Sequence, residues 1–231
     1  MKPFQKKYNY LYPPIIFVIL SLFAQIFGYF NPEFLNSYIN LFIQGTLVWF
    51  LAPFTFLTVI YKLDKFESIK LKKVKKDILT VLKFTLIIVV LTVLIFIIIK
   101  YISKDNYSPG YLEQIAYSDP LNFVLGLIAL FWVLAGAVAV KLTVFILTYK
   151  DTKYSDLNKN RYWISWGISA AVFALLNLQY FNYNLINCIL LIGIPTIIYG
   201  FLWKVENKPE LLWAVNLLHD FILVFLIKFL V

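Results

Sequence analysis

The chain has 231 residues, of which 61% are apolar and only 14% charged, against roughly 25% charged in an ordinary soluble domain. Its 21 basic and 12 acidic side chains cannot coat a domain of this size, so a water-soluble globule is excluded and lipid must cover most of the surface. The net charge of +9 would point to nucleic acid in a soluble protein, but here its meaning depends on which side of a membrane the lysines occupy, and no nucleic-acid partner is expected.

A hydrocarbon core of about 30 Å needs about 20 apolar residues in helical form. Seven runs meet that length, at residues 13–30, 38–61, 78–99, 121–149, 162–180, 185–203 and 209–231. They predict an all-α fold, a polytopic integral membrane bundle of about seven transmembrane helices. The first run opens on Pro13 and Pro14 and closes on Asn31 and Pro32, a helix start and a helix stop. Gln44, Gly45 and Pro53 predict a bend in the second. A lysine-rich loop, 62–77, leads into the third. In the fourth and fifth, Ala135 with Ala139, and Gly167 with Ala171 and Ala174, are small residues one turn apart that let backbones approach, which predicts that these two spans are central. Only the uncharged stretch from Tyr180 to Asn184 joins the fifth and sixth, so they read as an antiparallel hairpin, with Gly193 and Pro195 bending the sixth. We divide the single membrane domain into residues 1–120, carrying the first three helices, and 121–231, carrying the four core helices.

Charge sets the expected orientation. With the N-terminus in the cytoplasm, sixteen of the 21 basic residues fall inside, including Lys62, Lys65, Lys70, Lys72, Lys73, Lys75 and Lys76 of the loop, while Lys100, Lys104 and Lys228 fall outside, so the expectation is N-in, C-out. The loop lysines are also a candidate surface for anionic lipid. Tyr61, Tyr101, Tyr149, Tyr162, Trp163 and Trp203 read as interfacial anchors.

An ionisable side chain inside hydrocarbon costs a few kcal/mol, which makes each one a functional candidate. Lys141 in the fourth span and His219 and Asp220 in the seventh qualify, and Asn216 shares a broad helix face with the latter two. Counted from the helix ends, Lys141 and Asp220 reach comparable depth, so either they pair or Lys141 snorkels to the headgroups. One histidine and one cysteine, Cys188, predict neither a structural metal nor a disulfide, and no cofactor is expected. Ser165 and Ser169 are the hydroxyls available to a serine-type site, although no pattern around them signals activation.

Three segments carry a resemblance. Trp166 to Leu178 contains Phe173-Ala-Leu-Leu-Asn177; Leu211 to Asp220 contains a tryptophan-bearing helix start that leads to His219; Ala139-Val140-Lys141-Leu142-Thr143-Val144 stands where a third motif belongs. Over about residues 121–225 the chain resembles the CAAX protease and bacteriocin-processing family, also called the Abi family, which includes prenyl-protein endopeptidases and bacteriocin self-immunity proteins. That resemblance implies motifs EExxxR, FxxxH and a final histidine. Here Ala139 and Val140 replace the glutamates, Val144 the arginine and Asn177 a histidine, His219 is kept, and Leu223 stands at the family's later asparagine. The implied protein is a degenerate, catalytically inactive member of the bacterial cytoplasmic membrane. It binds a membrane protein or peptide, as an immunity factor or complex subunit, through Lys141, Asn177, Asn216, His219 and Asp220. An active protease using His219 and Asp220 with Ser165 or Ser169 is the alternative, and a small transporter with Lys141, His219 and Asp220 along a polar path is the third reading.

Overall fold

The computed structural model describes residues 74–103, 110–151, 160–181 and 183–230, and among these the secondary structure is all helical. The helices, numbered here from the first described, are α1 (Val74–Ser103), α2 (Gly110–Ala116), α3 (Pro120–Asp151), α4 (Arg161–Leu176), α5 (Leu185–Cys188), α6 (Ile194–Glu206) and α7 (Pro209–Leu230). A 3₁₀ turn, Leu178–Phe181, follows α4, and a π-helical turn, Ile189–Gly193, joins α5 to α6.

Four helical stretches are long and apolar enough to cross a membrane: Val74–Tyr101, Pro120–Ile146, Leu185–Glu206 and Pro209–Phe229. They coincide with the third, fourth, sixth and seventh predicted spans. The first two spans, and Lys62, Lys65, Lys70, Lys72 and Lys73, lie outside the described residues. The outward face of α1 explains why lipid suits it, since Leu79, Leu82, Leu86, Val90, Leu94 and Ile97 are exposed and apolar.

Three expectations need correction. The fifth span is shorter than 162–180, because α4 ends at Leu176 and Asn177 turns its amide back to the Phe173 carbonyl at 2.7 Å. At 16 residues α4 is about 24 Å long. Helix α1 begins at Val74, so Lys75 and Lys76 are helical and not part of a loop. Of the stripe Gly167, Ala171 and Ala174, the first two lie off the buried face and Ala174 is buried. The buried face of α4 is Ser165, Trp166, Ser169, Ala170, Phe173 and Ala174, and a Cβ on Gly167 would meet nothing within 4 Å. Close approach occurs instead at Gly200 of α6, where a Cβ would stand 2.9 Å from Trp166 Cγ.

Helix α7 packs against α1, α2, α3 and α6, which makes it the axis of the described bundle. One apolar core joins α1, α3, α4, α6 and α7 through Ile88, Leu142, Trp166, Leu202 and Val215. A second holds α2, α3 and α7 together through Leu112, Leu130 and Val224. The third predicted span is therefore part of the core, alongside the C-terminal segment. Trp203, expected at the interface, is buried in the first cluster.

Charge gathers at one end of the bundle. Arg161 lies over the Tyr149 ring and donates to its hydroxyl at 2.7 Å, while Lys204 lies over Tyr162 and Trp163. At the same helix ends Lys208 Nζ sits 2.6 Å from Asp77 Oδ1 with both side chains buried, and Lys76 pairs with Glu206 at 3.0 Å. Asn207, left-handed at φ 48°, reverses the chain between α6 and α7. Cations near the last turn of α6 also offset its dipole. Near the opposite end Asp119 caps α3, accepting from the amides of Leu121 and Asn122 at 3.1 and 3.0 Å, with Pro120 at the first helical position.

Candidate functional site

Helix α7 brings Asn216, His219 and Asp220 into the interior, where all three are buried. His219 Nδ1 is 2.7 Å from Asp220 Oδ1, and His219 Nε2 is 3.0 Å from Thr92 Oγ1 of α1. An ionised Asp220 accepts from Nδ1–H, which leaves the lone pair on Nε2 and makes Thr92 the donor. The result is a hydroxyl, an imidazole and a carboxylate in series, the order that activates a nucleophile in hydrolases. It is also an interhelical polar tie between α1 and α7. Thr92 is 1% exposed, so no substrate reaches its oxygen without a helix moving.

One helical turn earlier, Asn216 Oδ1 accepts from Lys141 Nζ of α3 at 3.3 Å. The ammonium is 4% exposed, so Lys141 does not snorkel. It lies 4.2 Å from the centre of the Phe173 ring and 4.5 Å from that of Tyr199, between aromatic faces that favour a cation. Asp220 Oδ1 is committed to His219. An ammonium has no acceptor, so the Asn216 amide must present oxygen to Lys141, and its nitrogen is left facing elsewhere. Asn216 Nδ2 and the Tyr199 hydroxyl are both buried and, among the described residues, have no hydrogen-bond partner.

The other positions singled out in the sequence fall around this cluster in different ways. Ala139, Val140 and Val144 are buried on α3, and aliphatic side chains can neither take a proton from water nor hold an oxyanion. Asn177 caps α4 through its own side chain and is not brought to His219. Ser169 donates to the Lys141 carbonyl at 2.7 Å, and Ser165 Oγ is buried without a partner among the described residues. Neither serine meets the imidazole. Among the described residues no three of His, Cys, Asp and Glu come close enough to hold a metal ion.

Thr92 and Tyr199 were not legible in the sequence as site residues. Threonine is ordinary in an apolar helix, where its hydroxyl usually returns to the carbonyl four residues back; Thr148 and Thr196 do so, at 2.7 Å to Val144 and Ile192. Only the meeting of α1 with α7 distinguishes Thr92. The bundle thus holds two adjoining polar centres on α7, one closed by Thr92 and the other incomplete at Asn216 and Tyr199. No family model, curated protein or solved structure matches the chain.

Proposed function

We propose that the chain is a membrane scaffold resembling the CAAX protease and bacteriocin-processing family, one that binds a membrane protein or peptide without hydrolysing it by the family's carboxylate route. The observation that supports this reading is the aliphatic, buried character of Ala139, Val140 and Val144. On this proposal it is a multi-pass protein of the bacterial cytoplasmic membrane with its N-terminus inside, acting as an immunity factor or complex subunit. The test is reconstitution of the purified chain in lipid discs with labelled apolar peptides. Saturable binding with the peptide recovered intact is expected, and turnover abolished by His219→Ala would overturn the reading.

A second reading is favoured by one observation, the Thr92–His219–Asp220 series. It makes Thr92 the nucleophile in place of the serines considered from sequence. The Thr92 oxygen would attack a carbonyl carbon, His219 would take the hydroxyl proton and pass it to the leaving group, and water, deprotonated by His219, would then hydrolyse the acyl-threonine ester to the free acid and regenerate the Thr92 hydroxyl. Acylation of the wild type that disappears in both Thr92→Ala and His219→Ala, detected by mass spectrometry after exposure to an activated ester, is the outcome that selects this reading.

A further inference from the structure

We propose that Lys141, Asn216 and Tyr199 form a receptor for the carboxylate of an apolar molecule drawn into the bundle. The inference deepens the binding reading above by naming the chemical group bound. Its foundation is an imbalance of hydrogen-bonding groups. Lys141 Nζ carries three donors, of which one reaches Asn216 Oδ1, and the aromatic faces of Phe173 and Tyr199 accept no further conventional hydrogen bond. Asn216 Nδ2 can only donate, the Tyr199 hydroxyl can donate, and both are buried and unpartnered among the described residues. A buried donor left unmet carries its full desolvation cost, so these two beside Lys141 form a site complementary to an acceptor-rich anion.

Depth selects among anions. Lys141 is five residues from the end of the apolar stretch Pro120–Ile146, about 7.5 Å along the helix, and it is buried, so a headgroup phosphate would have to shed its water to reach it. A carboxylate borne on an apolar chain can reach it, with the chain lying among aliphatic side chains. Two sources share that chemistry, a fatty acid and the free C-terminus of an apolar peptide. Admission requires α6 to shift, since Lys141 is enclosed. The π-helical turn and Pro195 just before Tyr199 weaken the hydrogen-bond ladder at that place.

The test measures equilibrium binding to the full chain in lipid discs of four probes: oleic acid, oleyl alcohol, an apolar peptide acid and its C-terminal amide. At least one acid should bind about 10- to 100-fold more tightly than its uncharged counterpart, the span expected for a charge-assisted hydrogen bond. Lys141→Met should erase that difference, and Tyr199→Phe, which removes one hydroxyl and keeps the ring, should weaken acid binding about fivefold. Asn216→Asp supplies a carboxylate from within, so it should abolish acid binding while raising the melting temperature. Which acid is preferred identifies the source. Equal binding of each acid and its counterpart, or a preference that survives Lys141→Met, overturns the proposal. Peptide acid and amide bound equally and measurably, with oleic acid no tighter than oleyl alcohol, would overturn it while leaving the peptide-binding reading intact; oleic acid bound through Lys141 with both peptides ignored would support it while removing that reading.

Discussion

Thr92 gives its hydroxyl to a histidine 127 positions away, and this choice has a measurable weight. Interhelical side-chain hydrogen bonds in membranes contribute about 0.6 kcal/mol on average and up to about 1.7. Thr92→Val keeps the shape and deletes the bond, so unfolding in detergent mixtures should show a loss in that range, and Thr92→Ser should recover most of it. Asp119 acts at the opposite extreme of exposure. The Asn122 amide, its side chain and then the Leu121 amide hold the Asp119 carboxyl below its ordinary value of 3.8. A depressed folded value means that the capping stabilisation is present above the unfolded value and is lost as pH falls through the folded one. Protection of the Leu121 and Asn122 amides, taken relative to the intrinsic exchange rate at each pH, should therefore fall on acidification below about pH 4 in the wild type, and be low at every pH in Asp119→Ala.

At the scale of the helix, two glycines make opposite predictions. Gly200→Ala places a methyl carbon 2.9 Å from Trp166 Cγ, with Trp166 itself clamped against Phe145 at 4.8 Å between ring centres. Overpacking of this kind costs about 1–3 kcal/mol. Gly167→Ala adds its methyl to open space inside a helix and should stabilise by about 0.5–1 kcal/mol. Thermal unfolding of the two variants side by side checks both signs. The same residues show what was legible in the sequence. Apolar runs located α1, α3, α6 and α7 because length and hydropathy are properties of a segment. The facing of α4 was not legible: Gly167 and Ala171 are small, but Trp166 and Gly200 fit each other by shape, and no single-chain pattern encodes complementarity between segments 34 residues apart. The short α2 lacks enough length to produce a periodic signal. Lys141, Asn216, His219 and Asp220 stood out because polarity inside an apolar run is itself conspicuous, whereas Thr92 and Tyr199 blend into such runs.

Across the whole molecule the buried Lys208–Asp77 pair, supported by Glu206 at 3.9 Å, ties the start of α1 to the turn between α6 and α7. Removing one partner leaves a buried charge without its counterion, which costs about 3–5 kcal/mol. Asp77→Leu and Lys208→Met should each destabilise by that amount, and the double variant should recover much of the loss, as measured by a double-mutant cycle in detergent unfolding. Additive losses would mean that the two charges are stabilised separately. The lysines near this end serve different ends. Lys76 stays exposed while pairing with Glu206, whereas Lys208 is enclosed.

The bond between Asp77 and Lys208 spans 131 positions. During synthesis the carboxylate therefore emerges long before its ammonium, and throughout that interval Asp77 must stay hydrated at the water boundary. A chain truncated ahead of Lys208 would leave Asp77 without that counterion, so the start of the first described helix gains this tie only once residue 208 has been made.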